Sequence, residues 1–299
     1  TTEIYTLSLH DALPISGEFG YSYDWAMAKI AGNFRWEFSQ SLQTDQYDPN
    51  DMGFNQKNNF FSNSINLKYN VYDPFWKLLS WYSSMGVEYN TLARDRLFTS
   101  LLFRGSSSLT TTKHLSIGLN NEIEPMDGYD YYEPRTEGKK YRTPGYGSGG
   151  LWISTDYRKK IALDIDIYAH VAPRYHTTVY QIEISPRYRV NNHLFIVFET
   201  TLEKYLNDIG YVDQFPLPEG NWQVVFGRRD RQVVSNVLEA NYMFRSDMSI
   251  DFRARQYWVT ASYLSYYTLQ EDGSLTDGTF TGDPDVNYNM FNLDLAYIW

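Results

Sequence analysis

Apolar and polar residues alternate strictly along most of this chain, and no long window carries the 3.6-residue apolar stripe of an amphipathic helix. The clearest alternating segments are residues 19–28, 34–39, 64–71, 161–168, 180–190 and 291–299. Successive side chains of a strand point to opposite faces, so each segment predicts a strand with one apolar and one mostly polar face. The pattern therefore predicts an all-β protein.

The length and chemistry of these segments indicate where the apolar face lies. Several segments alternate for about nine to eleven residues, the length that a tilted strand needs to cross a bilayer, whereas strands of soluble domains more often have five or six. The polar faces carry charges in mid-strand, namely Asp164, Asp166, Glu183 and Arg187. Aromatic residues lie toward segment ends, as at Trp25, Trp76, Trp258, Tyr188 and Tyr242. These features predict an antiparallel up-and-down transmembrane β-barrel with aromatic girdles.

The connections between segments support the same architecture, because outer-membrane barrels alternate short periplasmic turns with longer outer loops. Short turns are predicted at residues 31–33, 72–75, 110–113, 156–160, 191–193 and 245–247. Longer connections are predicted at residues 43–58, 90–95, 121–146, 170–177, 203–231 and 264–288. This gives about thirteen strands, of which residues 97–103 and 115–119 are the weakest. Closed bacterial barrels normally have an even number, so we expect an incomplete barrel.

Pro186 interrupts one of the strongest alternating segments. Proline cannot donate a hydrogen bond to a strand ladder. We expect a β-bulge at this position.

The composition fits a barrel once the alternation is considered. The chain has 27 Tyr, 17 Phe and 8 Trp, yet its mean hydropathy is −0.49 and its net charge is −10. A barrel presents apolar side chains to lipid at only every second residue, which reconciles these values. The acidic balance argues against nucleic acid as a partner. The absence of cysteine excludes a disulfide frame, a thiolate zinc site and a cysteine nucleophile.

The first fifteen residues, TTEIYTLSLHDALPI, resemble the in-frame translation of a sequencing-library adapter. We therefore predict that residues 1–16 are a scar outside the fold and that residues 17–299 form one domain, since no linker divides them. We also expect the natural N-terminus, any signal peptide and part of the C-terminus to be missing. A genuine C-terminus is the alternative, because outer-membrane barrels often end on an aromatic strand such as the one that ends at Trp299.

The residues that could serve catalysis or metal binding favour structural interpretations. Asp164, Asp166 and Glu183 carry the side chains that glycoside hydrolysis uses, but lining of the barrel lumen is our preferred interpretation. The histidines show no metal-ligand spacing. One outer loop is rich in aspartate, at positions Asp272, Asp277, Asp283 and Asp285; we interpret it as a solvated loop rather than a calcium site. We predict no catalytic residues, no cofactor and no metal, and therefore not an enzyme.

The outer connection at residues 124–146 is the most distinctive segment, EPMDGYDYYEPRTEGKKYRTPGY. It combines aromatic residues, both signs of charge and turn residues, and loops on rigid scaffolds often carry binding sites. Tyrosines beside carboxylates and an arginine suit a sugar or a peptide. The candidate binding motif is Asp130, Tyr131, Tyr132, Glu133 and Arg135. The alternative is a loop that folds over the barrel mouth for structural reasons.

Five motifs resemble segments of the bacterial domain of unknown function 5916, and they occur along the chain in the order that this family shows. They are DYYEPR (130–135), STDYRKK (154–160), NDMGF (50–54), FGRRD (226–230) and NYNMFNLDLAYIW (287–299). The family is common in Bacteroidota and usually follows an N-terminal carbohydrate-binding domain similar to family 9 modules, which is missing here. The resemblance implies a protein of the bacterial outer membrane, with membrane lipid as a partner and glycan as a candidate ligand. It supplies no catalytic residues.

Three hypotheses follow from the sequence. The first is a fragment of an outer-membrane β-barrel of the cell envelope that binds or takes up glycan or serves envelope transport. The second is a soluble or periplasmic β-sandwich or propeller that binds or hydrolyses polysaccharide. The third is a structural envelope barrel with no small ligand.

Overall fold

The computed structural model describes residues 2–4, 20–47 and 57–299, which form strands, turns and two short 3-10 turns at Pro173–Tyr175 and Pro218–Gly220. None of the helical segments in these ranges is long and apolar enough to cross a membrane. The strands are β1 (Thr2–Ile4), β2 (Ser22–Lys29), β3 (Phe34–Gln43), β4 (Phe60–Val71), β5 (Leu78–Thr91), β6 (Phe98–Thr111), β7 (Ser116–Glu124), β8 (Gly128–Asp130), β9 (Tyr141–Thr143), β10 (Tyr146–Ser154), β11 (Ile161–Ala172), β12 (Thr177–Arg189), β13 (Leu194–Pro216), β14 (Trp222–Arg245), β15 (Met248–Leu269), β16 (Leu275–Gly278) and β17 (Val286–Ile298).

One antiparallel sheet contains every strand except β8 and β9, which pair with each other. Its long strands, β2 to β7, β10 to β15 and β17, follow one another as an up-and-down meander, which confirms the all-β prediction and the expected thirteen strands. No ladder joins β17 to β1 or β2 within the described ranges, so the sheet does not close and the prediction of an incomplete barrel is confirmed. A sandwich or propeller divides its strands among several sheets, so those alternatives are wrong for the fold.

The predicted alternation of short and longer connections holds only in part, because residues 92–97, 173–176 and 217–221 join their strands in four to six residues, no longer than the predicted short turn at residues 72–77. The two weakest predicted strands are regular and belong to β6 and β7. Residues 203–231 are not a loop, because β13 and β14 continue through most of this range and meet at the short Pro218–Gly220 turn. β15 likewise continues to Leu269, inside the connection predicted at residues 264–288.

The expected bulge at Pro186 is wrong. Pro186 stands opposite Leu163 in the β11–β12 ladder. On its other side, the β12–β13 ladder keeps the same register from Ile184↔Thr200 to Arg187↔Val197 and omits the two pairs between them. The sheet therefore accommodates the missing proline N–H by losing local pairing, without an inserted residue.

The two faces of the sheet have an inverted pattern of burial. In β12, the apolar side chains of Ile182 and Ile184 are 44% and 39% exposed, whereas Ser185 and Val179 on the opposite face are 2% and 9% exposed. The exposed apolar face continues through cross-strand neighbours, as from Leu119 to Leu151 and from there to Ile167. The enclosed side of the sheet is therefore its polar side.

Four polar residues interrupt the apolar face and bond one another. Asn236 bonds to Thr200 Oγ1 at 2.8 Å and to Gln256 Oε1 at 2.7 Å, and the Gln256 amide donates to Asn289 Oδ1 at 3.4 Å. This stripe crosses β13, β14, β15 and β17. Each of its members satisfies part of its hydrogen-bonding capacity inside the stripe, which lowers the cost of placing amides on an apolar surface.

The ends of β13, β14 and β15 extend past the rest of the sheet and pack with the segment that contains β8 and β9. We call residues 125–145, 208–229 and 263–278 together the cap. Its core consists of Tyr141, Val224, Phe226 and Leu269, all buried, with the Tyr141 and Phe226 ring centroids 4.8 Å apart. This cluster lies outside the alternating part of the strands and gives the cap a hydrophobic core of its own.

Candidate ligand site beneath the cap

The segment that joins β7 to β10 is fixed over the sheet by contacts at both of its ends. The Arg142 backbone N–H donates to the Gly273 carbonyl at 2.8 Å, and Lys139 pairs with Glu271. Asp127 pairs with Arg142 at 2.8 Å and also with Arg174. The segment therefore folds over one end of the sheet. This agrees with the alternative interpretation of residues 124–146, a loop that folds over the barrel mouth for structural reasons.

The five residues of the predicted binding motif divide into two groups. Glu133 accepts a hydrogen bond from the Tyr211 N–H at 2.9 Å, and the Arg135 guanidinium lies 4.5 Å from the Tyr211 ring centroid. These two side chains hold the cap together. Asp130, Tyr131 and Tyr132 instead line a cavity between the cap and the sheet.

The cavity has a volume of about 610 Å³, within the range of small-ligand sites. Its floor is the polar face of β3 to β7, and its roof is the β8–β9 hairpin with the residues that follow β8. The lining residues are Ser41, Lys57, Asn58, Asn59, Phe60, Ser62, Glu88, Asn90, Leu92, Thr99, Ser100, Glu124, Tyr129, Asp130, Tyr131, Tyr132 and Thr143. The arrangement combines aromatic rings, amides, hydroxyls and carboxylates around one space.

The roof is organised by Asp130. Its Oδ1 accepts the backbone N–H groups of Tyr132 at 2.7 Å and Glu133 at 2.9 Å, which fixes the turn that presents the two tyrosines. The Tyr132 hydroxyl donates to the Asn58 carbonyl. Burial raises the pKa of the Tyr131 and Tyr132 phenols, so both remain neutral hydrogen-bond donors at neutral pH.

One wall of the cavity comes from a part of the chain that the sequence did not connect with the motif. Lys57 Nζ lies 3.6 Å from Asp130 Oδ2 and 5.4 Å from the Tyr132 ring centroid. Lys57 and Asn58 stand more than 70 residues before Tyr132. No spacing rule links such distant positions, so only the fold brings them together.

The floor contains a buried carboxylate, Glu124, that the sequence analysis also missed. Glu124 is 6% exposed, and its Oε1 has no hydrogen-bond partner among the described residues. A Cβ on Gly128 would lie 2.6 Å from this oxygen and 2.5 Å from the Thr99 carbonyl. Only glycine allows the β8 backbone to approach the floor so closely.

A row of charged and polar side chains continues from the floor along the polar face. Arg104 pairs with Glu88 on one side and with Glu122 on the other, where Nε and Oε2 are 2.5 Å apart. Glu122 also accepts the Tyr146 hydroxyl, and the Tyr146 ring lies 4.6 Å from the His170 ring. The row crosses β5, β6, β7, β10 and β11 and shows that this face is built for charged side chains.

The carboxylates that resemble a glycosidase pair lie on the same polar face. Asp164 accepts hydrogen bonds from Ser154 and Tyr157 at 2.6 Å and from Arg187 at 2.8 Å. Asp166 stands directly opposite Glu183 in the β11–β12 register. Asp164 is therefore occupied by protein donors, in agreement with a lining role.

Asp272 and Asp285, from the aspartate-rich outer loop, accept hydrogen bonds from protein donors. Asp272 accepts the Ser274 hydroxyl at 2.6 Å, and this bond lowers the pKa of Asp272 below its usual range. Asp285 accepts the Tyr263 N–H at 2.8 Å. Within the ranges that the structure describes, no group of three or more His, Cys, Asp or Glu side chains is placed to hold a metal ion.

Comparison with known proteins identifies the family. A family model described as a domain of unknown function, DUF5916, matches residues 5–299. The chain belongs to this family. No curated protein matches the chain. A solved structure of OmpT (in-vitro folded), an outer membrane protein of Vibrio cholerae, is similar at a TM-score of 0.33 and 11% identity, over 100% of this chain and 94% of that chain.

The motifs that suggested DUF5916 occupy different parts of the structure. The first three residues of DYYEPR lie in the roof of the cavity, and STDYRKK forms a short turn between β10 and β11. In that turn Arg158 donates to Asp156 at 2.9 Å, and this bond lowers the pKa of Asp156. FGRRD lies in β14 and the last motif lies in β17, whereas NDMGF falls outside the described residues. The DUF5916 match begins at residue 5, within the predicted adapter scar, most of which is also outside the described residues, so that prediction stays a prediction.

Proposed function

We propose that this chain forms the wall of a β-barrel in the bacterial outer membrane, with its apolar face against lipid. The observation that carries the proposal is the inverted burial of the two faces: large apolar side chains are exposed on one face while polar ones are enclosed on the other. A sheet with this arrangement needs an apolar solvent on its outer side, which is the condition of a transmembrane barrel.

The energetics favour lipid over water for the apolar face. Full transfer of one Leu, Ile or Phe side chain out of water is worth about 1.5–3 kcal/mol. Leu67, Ile123, Ile167, Ile182 and Leu202 are all exposed on this face, and they are a small part of the set. The backbone groups between neighbouring strands are paired in ladders, so the interior of the sheet can enter lipid without orphaned N–H or C=O groups.

The connections define an orientation for the proposed barrel. The short turns, such as the one at Asp156, lie at one end of the strands, and the cap lies at the other. Outer-membrane barrels place short turns in the periplasm and longer loops outside. We therefore assign the cap and its cavity to the cell exterior.

Membrane partition tests this proposal. The protein, exported to the outer membrane of a Gram-negative host, is expected to sediment with outer membranes, to need detergent for release and to migrate differently on a gel before and after heating. Complete release without detergent after cell lysis would contradict the proposal. A periplasmic protein exported by the same signal is the control for trapping in membrane vesicles.

Glycan binding at the cavity is the second candidate function. It is favoured by the tyrosine rings, amides and carboxylates that surround one space at the proposed outer surface. We propose binding or uptake without catalysis. The test is a panel of oligosaccharides with the detergent-solubilised protein and a Tyr131→Ala variant, in which we expect weaker binding. If the protein turns over a glycan and changing Asp164 or Glu183 abolishes this turnover, the proposal of binding without catalysis is wrong.

A further inference from the structure

The charge balance of the cavity is uneven. Among the residues that line it, Lys57 is the one cation, whereas Glu88, Glu124 and Asp130 are acids. Asp130 lies near Lys57, and Glu88 pairs with Arg104. Glu124, the most deeply buried of the three, has no ion-pair partner within the described ranges.

The Glu124 carboxylate accepts a hydrogen bond from the Leu101 backbone N–H. A buried carboxylate oxygen that has no partner is unfavourable, because it loses its water hydrogen bonds and gains none in return. Native proteins pair such groups with a cation, a hydrogen-bond donor or a ligand. The Oε1 atom of Glu124 has none of these in the described part of the protein. The floor of the cavity therefore lacks one positively charged or donating group.

The tyrosines of the roof are suited to the same kind of ligand. Lys57 Nζ lies 5.4 Å from the Tyr132 ring centroid, and Lys140 Nζ lies 4.7 Å from that of Tyr129. Two of the three rings already have a cation near their faces, at cation–π distance. Tyr131 stands between them in the sequence and has no such cation among the described residues.

We infer that the cavity takes a ligand with a cationic group, an ammonium or guanidinium, that pairs with Glu124 beneath the tyrosines of the roof. This inference rests on the proposed ligand-binding role of the cavity and specifies the charge of the ligand. Glu124 Oε1 is shielded by the β8 backbone, so binding includes a small displacement of the β8–β9 hairpin. A glycan that fits the site accordingly carries a free amine.

A pair of sugars that differ only in charge tests the inference. The 299-residue chain, folded in detergent micelles, is titrated calorimetrically with the β-1,4 disaccharide of glucosamine and with its N,N′-diacetyl form. A third probe, 1,6-diaminohexane, supplies the charge without the sugar. We expect the amino disaccharide to bind about tenfold or more tighter than the acetylated form, and the diamine to compete with it.

Two variants locate the cation. Glu124→Gln keeps the size of the side chain and is expected to abolish the preference for the amine, whereas Glu137→Gln removes an equal charge from an exposed position of the same segment and is expected to leave it unchanged. Folding of each is checked by circular dichroism. If Glu124→Gln does not fold, Tyr131→Leu replaces it, and we expect about threefold or more weakening from the lost cation–π contact.

The outcomes separate this inference from the functions above. Equal binding of both disaccharides overturns the cationic class and leaves glycan binding standing. An amine preference that survives Glu124→Gln, or amine binding that Tyr131→Leu leaves undiminished where that variant is used instead, overturns the assignment of the cation to Glu124 beneath the roof. Failure of every probe to bind overturns this inference and the glycan candidate but not the barrel, which membrane partition tests separately.

Discussion

Gly128 decides how closely the β8–β9 hairpin approaches the sheet. A methyl group at this position would meet the Thr99 carbonyl, Glu124 and Thr143 at 2.5–2.8 Å. We therefore expect Gly128→Ala to destabilise the docked hairpin by about 1–3 kcal/mol through overpacking. Limited proteolysis of the hairpin and urea unfolding in detergent measure the effect.

Gly147→Ala is the matched control for that substitution. Gly147 lies in β10, and a Cβ there would meet nothing within 4 Å. Its effect should stay within about 0.5 kcal/mol of the parent protein. Equal effects of both substitutions would show that the hairpin does not pack on the floor as described.

Sequence reasoning found part of the candidate site and missed the rest for a physical reason. Asp130, Tyr131 and Tyr132 were identified because unusual chemistry is concentrated in one short segment. Lys57 and Glu124 were not, because a lysine in a polar stretch and a glutamate at a strand end look ordinary until the fold buries one and brings the other beside the roof.

Strand β12 shows how an element divides its residues between two solvents. Ile182→Arg places a cation on the lipid side of the sheet and is expected to destabilise folding into vesicles by about 2–4 kcal/mol, provided the position lies near the bilayer midplane. Gln181→Arg introduces the same group on the polar face, and we expect a change of less than about 1 kcal/mol. Urea titration of the vesicle-embedded protein measures both. Equal costs at the two positions would contradict the assignment of the faces.

The cap is a separate packing unit, and Phe226 is its centre. Phe226 is fully buried against Tyr141, so Phe226→Ala removes a large side chain from a closed core. We expect a loss of about 3–5 kcal/mol in the stability of the cap. Hydrogen exchange should show this loss in β8, β9 and the extended ends of β13 to β15, with protection of β10 to β12 retained.

The exposed position Phe291 supplies the control for the cap. Phe291 lies on the apolar face of β17, so its truncation leaves the cap untouched. Faster exchange in the cap of a Phe291→Ala protein would mean that the cap and the sheet unfold as one unit.

The elements that the sequence predicted best are those that lie between two different environments. β11, β12 and β17 alternate because one face is apolar and the other polar. The ends of β13 and β14 were interpreted as a loop because they continue past the sheet and pack into the cap, where both faces meet protein. Alternation is not required there, so the period-two signal disappears although the strands continue.

The whole sheet combines thirteen meander strands with a single polar side and a single apolar side. β2 and β17 are both odd members of the meander, so they run in the same direction and cannot pair antiparallel with each other. The strand count, the direction of every ladder and the two-faced pattern were all accessible from periodicity and turn lengths. The lack of closure was expected only from the odd strand count, because periodicity contains no information about sheet edges.

The central claim is that the two faces of one strand meet different solvents, and the absence of cysteine from the chain makes it directly measurable. Single cysteines at Gln181, Ile182, Glu183 and Ile184, labelled with a fluorophore in reconstituted vesicles, are quenched with a lipid-bound quencher and with a water-soluble one. Lipid quenching should be strong at 182 and 184 and weak at 181 and 183, with the opposite order for the aqueous quencher. Aqueous quenching that is strong at 182 and 184 would contradict the membrane barrel.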